Sequence, residues 1–238
     1  MGHSNKGDIE NDQFYPMMME NPQLRWGFIR KVYAIISMQL LLTAAVAATV
    51  VFVRPIPTFF LKTTPGIIAY VGIVVFTFIV LCPLYAYHRH HPWNFIFLAL
   101  FTIGIAFSVG ISCAFTKGEI ILEAAALTCG VVAGLTLYTF WAVKRGHDFN
   151  FLGPFLFASL LVLFLFGLIQ IFFPLGKLSV MIYSGLAALI FCGYIVYDTD
   201  NLIKHFTYDD YIWAAVTLYL DIINLFLALL NLLRALDG

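Results

Sequence analysis

Long apolar runs, each about as long as a bilayer core is thick, alternate along the chain with short polar breaks. A hydrocarbon layer of about 30 Å takes about 20 residues of helix to cross. Seven stretches meet that length, at roughly 32–52, 66–87, 93–115, 120–143, 151–173, 178–201 and 212–233. The breaks carry helix-stopping residues: Arg54, Pro55, Ile56 and Pro57 after the first run, His91 and Pro92 after the second, Gly153 and Pro154 opening the fifth, Pro174 and Gly176 closing it. The pattern predicts an all-α polytopic membrane protein, a seven-transmembrane-helix bundle whose short loops make consecutive helices antiparallel neighbours. Residues 1–24 read as a disordered tail and 25–238 as one seven-helix domain.

Composition agrees with that reading and narrows it. The chain is 62% hydrophobic and 11% charged, where soluble domains carry about 25% charged residues. Thirteen basic and thirteen acidic residues cancel, so nothing favours nucleic acid as a partner. Placing the amino terminus in the cytosol puts Lys6, Arg25, Arg30, Lys31, Arg89, Lys144, Arg145 and Lys204 on the inner side, against Arg54, Lys62, Lys117, Lys177 and Arg234 outside. Positive charge gathers on the cytosolic side of membrane proteins, so that orientation is expected. Cys82, Cys113, Cys129 and Cys192 lie in apolar runs without C-x-x-C spacing, so neither a zinc site nor a disulfide framework is indicated.

The candidate chemistry begins with Asp221, inside a run that otherwise suits lipid. A carboxylate at mid-span costs about 2.5–3.5 kcal/mol on insertion scales, which marks it for a partner and a function. Asp198 and Asp221 are placed symmetrically about position 209.5, inside the polar linker 204–211. In a helical hairpin they would share a depth and could meet if both face the seam. Two carboxylates that meet cannot both ionise cheaply, so they would share a proton and titrate as a unit. The plainer alternative has Asp198 capping its helix and Asp221 bonded to Asn224 or a backbone group.

Around the pair, Thr217, Asp221, Asn224, Ala228 and Asn231 recur at helical spacing and should face the bundle interior. The fourth span carries a comparable stripe of Glu123, Leu127, Gly130, Gly134 and Tyr138, and the third has Gly104, Ser108 and Ser112, both suited to close helix approach. Glu123 reads either as a solvated interfacial carboxylate or as a third acidic group of an outer vestibule. All six histidines fall on the inner side, where His88, His90 and His91 read mainly as solvated loop residues; Arg89 among them is a candidate counter-ion latch for an aspartate. The Gly-x-Gly-Asp motif of intramembrane aspartyl proteases is absent, and no enzyme is expected.

Tyr197, Asp198 and Thr199, the polar linker and the segment LYLDIINLF at 218–226 together resemble the carboxyl-terminal signature of the transmembrane Bax-inhibitor-motif family. Arg30, Lys31, Val32 and Tyr33, with Ala133, Gly134, Leu135 and Thr136, resemble its Lifeguard, or Golgi anti-apoptotic, branch. The resemblance implies a central helix wrapped by others and a pH-sensitive calcium leak that lowers luminal calcium and suppresses programmed cell death. It implies a Golgi or endoplasmic-reticulum membrane, with the plasma and vacuolar membranes left open. Asp198 and Asp221 map onto the family's di-aspartyl pH sensor, a weak and transient Ca²⁺ site, and Arg89 onto its latch. Asn224, Thr217, Asn231 and Glu123 would line or support the path. No cofactor is implied: Ca²⁺ and H⁺ are the transported ions, beside the lipid bilayer. The alternative is a non-conducting regulator that binds membrane death-regulator or stress-sensor proteins.

Overall fold

A computed structural model describes residues 22–173 and 176–237, and these residues form helices and short connections without strands. The helices are α1 (Pro22–Phe52), α2 (Pro55–Lys62), α3 (Thr64–Tyr87), α4 (Trp93–Cys113), α5 (Gly118–Lys144), α6 (Leu152–Phe172), α7 (Lys177–Lys204) and α8 (Tyr211–Asp237), with a 3₁₀ turn at Tyr208–Asp210 before α8. Seven of them, all but α2, are long and apolar enough to cross a membrane. The predicted class is therefore the observed one.

Boundaries differ where polar residues are helical. Pro22 opens α1, so the expected tail yields its last three residues to the helix; residues 1–21 lie outside the described part. Proline suits the first turn, where its missing N–H has no intrahelical partner to lose. The Pro-rich break after α1 is itself a helix, α2, again opened by a proline. Thr63 then caps α3, its hydroxyl accepting from the Gly66 amide at 3.1 Å. At the far end, α8 runs unbroken for 27 residues, about 40 Å, despite Asp221, Asn224 and Asn231. The seventh segment is thus one continuous helix, long enough to cross.

The neighbour relations are not those that short loops predict. Sequence neighbours pack at α3–α4, α6–α7 and α7–α8, but α1 packs on α4 and α8, and α5 on α7 and α8. The reason is α8, which occupies the centre and touches α1, α4, α5 and α7. Ile212, Val216, Tyr219 and Leu230 on α8 are fully buried, with Val32 from α1 and Phe101 from α4 against the same core. Two polar contacts cross this core: Tyr219 Oη shares a hydrogen bond with Thr43 Oγ1 at 2.7 Å, and Gln39 donates to Thr102 Oγ1 at 3.0 Å. By contrast α6 packs mainly on α7 and turns Phe155, Phe157 and Phe164 outward, as a lipid-facing helix should.

Glycine stripes divide into two kinds. At Gly104 a Cβ would stand 2.0 Å from Thr77 Oγ1, so its absence lets α3 approach α4. The α5 stripe does the opposite. Glu123, Leu127, Gly130, Gly134 and Tyr138 are all exposed, and a Cβ at Gly130 or Gly134 would meet nothing. The inward face predicted for α5 is thus its outer face, because α5 presents Ala124, Thr128 and Thr139 to the core instead. Gly104→Ala should lower stability by about 1–3 kcal/mol through overpacking, while Gly130→Ala should leave it unchanged or slightly raised; thermal unfolding in detergent micelles checks both.

Candidate functional site

Asp198 lies about 9 Å from the end of α7 and Asp221 about 15 Å from the start of α8, by helix rise. Asp221 is 7% exposed and Asp198 half-buried. Their side chains lie against each other, and Asp198 also faces Thr217 and Asn201. The Asn201 amide donates a long bond of 3.5 Å to Asp198 Oδ1. Ionised carboxylates only accept, so contact between two of them calls for a proton in between. Asp221 Oδ2 is buried and accepts no hydrogen bond among the described residues.

The other singled-out residues divide by depth. Thr217, one turn before Asp221, donates to the Ala214 carbonyl at 3.2 Å while touching Asp198. Asn224, one turn beyond, donates back to the Leu220 carbonyl at 2.8 Å. Asn231 is exposed near the carboxyl-terminal end of α8. Glu123 is not part of a vestibule beside the pair: it faces outward with Ala126, Leu127 and Gly130 along a shallow groove. Arg89 does reach an aspartate, but that aspartate is Asp210 and not a membrane carboxylate.

Asp210 ties the linker to the α3–α4 loop with both oxygens. Its Oδ2 accepts from the Thr207 amide at 3.3 Å and hydroxyl at 2.5 Å, a capping box that turns the chain into α8. Its Oδ1 takes Arg89 NH2 at 2.9 Å and His88 Nε2 at 3.1 Å. The other His88 nitrogen contacts the Tyr85 carbonyl, so both ring nitrogens face acceptors.

Two further fasteners escaped the sequence reading. Arg25, 9% exposed, donates to the carbonyls of Leu202 at 2.7 Å, Ile203 at 2.8 Å and Phe206 at 2.6 Å. Those carbonyls sit at the end of α7, where orphan acceptors and the negative end of the helix dipole favour a cation. Lys204 Nζ meets the wholly buried Asp200 at 2.7 Å, and it also donates to the His147 carbonyl at 2.8 Å. Asp200 Oδ2 accepts from the Phe149 amide at 3.3 Å. The α5–α6 loop is thereby pinned to α7 within two residues of Asp198. The i,i+4 spacing of Asp200 and Lys204 was the legible signal; nothing in it announced burial.

The arrangement can hold a proton or release it, but it is lean as a metal centre. No group of three His, Cys, Asp or Glu side chains is placed to hold an ion among the described residues, whereas Ca²⁺ takes six to eight oxygens.

Fold and site together define a seven-helix membrane protein whose central helix meets a neighbour through a buried carboxylate pair. The family model Bax1-I, inhibitor of apoptosis-promoting Bax1, matches residues 25–238, and the chain belongs to that family. It is 63% identical over 236 residues to Protein LIFEGUARD 4 of Arabidopsis thaliana, covering 97% of this chain and 96% of the relative. Identity is 64% over 235 residues to Protein LIFEGUARD 2 of the same plant, with 98% of each covered. It is 37% over 229 residues to the Golgi anti-apoptotic protein of Vaccinia virus (strain Lister), with 95% and 93% covered. The family is one of anti-apoptotic membrane proteins and not a known enzyme class.

Breaking the buried α7 ion pair should be costly. Lys204→Met leaves Asp200 uncompensated and should destabilise by about 3–5 kcal/mol, while the double change Asp200→Leu, Lys204→Met should recover most of it. Thermal unfolding, with proteolysis of the 145–151 loop as a local readout, checks the pair.

Proposed function

We propose that this chain is a pH-sensitive calcium leak channel of Golgi or endoplasmic-reticulum membranes, which lowers luminal calcium and so restrains programmed cell death. The observation that carries the reading is the contact between Asp198 and Asp221 at matched depth on adjacent helices. Sharing one proton, the two carboxylates draw α7 and α8 together. Losing it leaves two negative charges that repel each other or attract a cation. Oxygens of two carboxylates, with Thr217 and Asn224 near at hand, suit a hard ion held briefly, and weak holding favours passage. Membership of a family of apoptosis inhibitors supports the cellular role, and the viral relative's name supports a Golgi setting.

Purified protein in liposomes that enclose a calcium dye tests the reading. Flux should vary across pH 5.5 to 8 in the native chain and become flat with pH in Asp198→Asn, Asp221→Asn. A double variant with native pH-dependent flux would refute the gating role of the pair. Native protein without calcium flux at any pH would leave the non-conducting regulator as the reading.

A further inference from the structure

Seven described cations lie on the face that carries the start of α1. Four are engaged within the chain: Arg25 on the α7 carbonyls, Arg89 on Asp210, Lys204 on Asp200, and Lys31 with its Nζ 3.1 Å from the centre of the Tyr211 ring. The other three, Arg30, Lys144 and Arg145, are exposed where α1 and α5 meet the membrane boundary. They stand among aromatic rings. Trp26 stacks on Phe140 at 5.9 Å, Lys144 Nζ lies 5.9 Å over Trp26, and Arg145 lies 4.4 Å over Trp141. Trp26 and Trp141 are each 49% exposed. Arg30 follows Trp26 by one turn on the same side of α1.

We propose that these residues form a binding site for the headgroup of an anionic glycerophospholipid. The chemistry is one of complementarity. Among the described residues the three cations form no salt bridge: the nearest carboxylate along the chain, Asp148, lies 3.4 Å from Lys204. Guanidinium groups match phosphate with paired donors, and an ammonium adds a point charge. Exposed tryptophans at the end of apolar spans place their rings at headgroup depth and offer an indole N–H to the same layer. The site therefore combines charge for a phosphate with an apolar floor for the glycerol and upper acyl carbons. A free anion would find only the charge. The residues 1–21, with Asp8, Glu10, Asp12 and Glu20 against Lys6, are a rival occupant of like charge.

Purified full-length protein in detergent micelles is titrated with short-chain phosphatidylserine, short-chain phosphatidylcholine and inorganic phosphate. Saturable binding of phosphatidylserine alone is expected. At about 1 kcal/mol per basic residue, each Gln substitution at Arg30, Lys144 or Arg145 should weaken it about fivefold, and the triple variant on the order of a hundredfold. Lys62→Gln on the opposite face should bind as the native chain does, and an unchanged melting temperature shows that the triple variant is folded. Equal affinity for both lipids, native affinity in the folded triple variant, or equal binding of inorganic phosphate would overturn the proposal. Binding seen only after removal of residues 1–21 would also overturn it, assigning the patch to the chain's own acidic tail.

Discussion

A carboxylate on a helix that must cross hydrocarbon sets the terms for this bundle. Asp221 would cost about 2.5–3.5 kcal/mol facing lipid, and no single partner helix can shield it on all sides. The fold surrounds α8 with α1, α4, α5 and α7, so that the residue meets Asp198 on one side and packed apolar side chains elsewhere. Placing the last helix at the centre is what separates α1 from α3 and α4 from α5. The loops are short enough for neighbours to touch, but the demand for protein around α8 outranks loop length.

Contact between two carboxylates also demands register. A slip of one residue between α7 and α8 moves a side chain by 1.5 Å along the axis and turns it by about 100°. Three separate clasps act against that slip, all at the end where α7 hands over to α8. Arg25 holds the last carbonyls of α7, Lys204 and Asp200 bind the α5–α6 loop to its final turns, and Asp210 fixes the start of α8 to His88 and Arg89. Each draws on a different helix or loop. A proton leaving the pair therefore acts on a hairpin whose outer end is braced, and any separation it drives concentrates deeper in the membrane.

What could be read from residues alone follows from what hydrocarbon tolerates. Span number and the length of an unbroken α8 rest on apolar length, which is written plainly in composition. The inward placement of Asp221 was readable because it has a large penalty for facing the wrong way, whereas Asn231, expected on the same inward stripe, is exposed near the end of the helix where that penalty vanishes. The α5 stripe was misread because Gly, Leu and Tyr have almost none: lipid tails receive such a face as readily as another helix does. Burial of Arg25, Asp200 and Lys204 was illegible for a related reason. Near a membrane boundary a charged residue fits water as well as an internal partner, and only the paths of distant segments decide between them.

The two halves of the bundle differ in kind, and that difference locates the barrier in the proposed conduction path. The end that holds Asp198, Asp200, Asp210 and their partners is polar and richly hydrogen-bonded. Beyond the pair, a half-open groove of about 590 Å³ lies among α1, α4, α5 and α8, lined by residues such as Leu40, Ala47, Val109, Ile121, Ile222 and Phe226. Its two threonines already donate within the chain, Thr43 to the Gln39 carbonyl and Thr128 to the Ala124 carbonyl. A lining this apolar, with both threonine protons already committed, offers an ion few polar partners. A hydrated ion leaving the carboxylates in that direction would have to shed its shell with nothing to replace it, the condition under which hydrophobic constrictions close pores. On the proposed reading, resistance to flow would reside in this apolar half, and the carboxylates would act on it at one remove, through the spacing of α7 and α8 rather than by blocking an ion themselves.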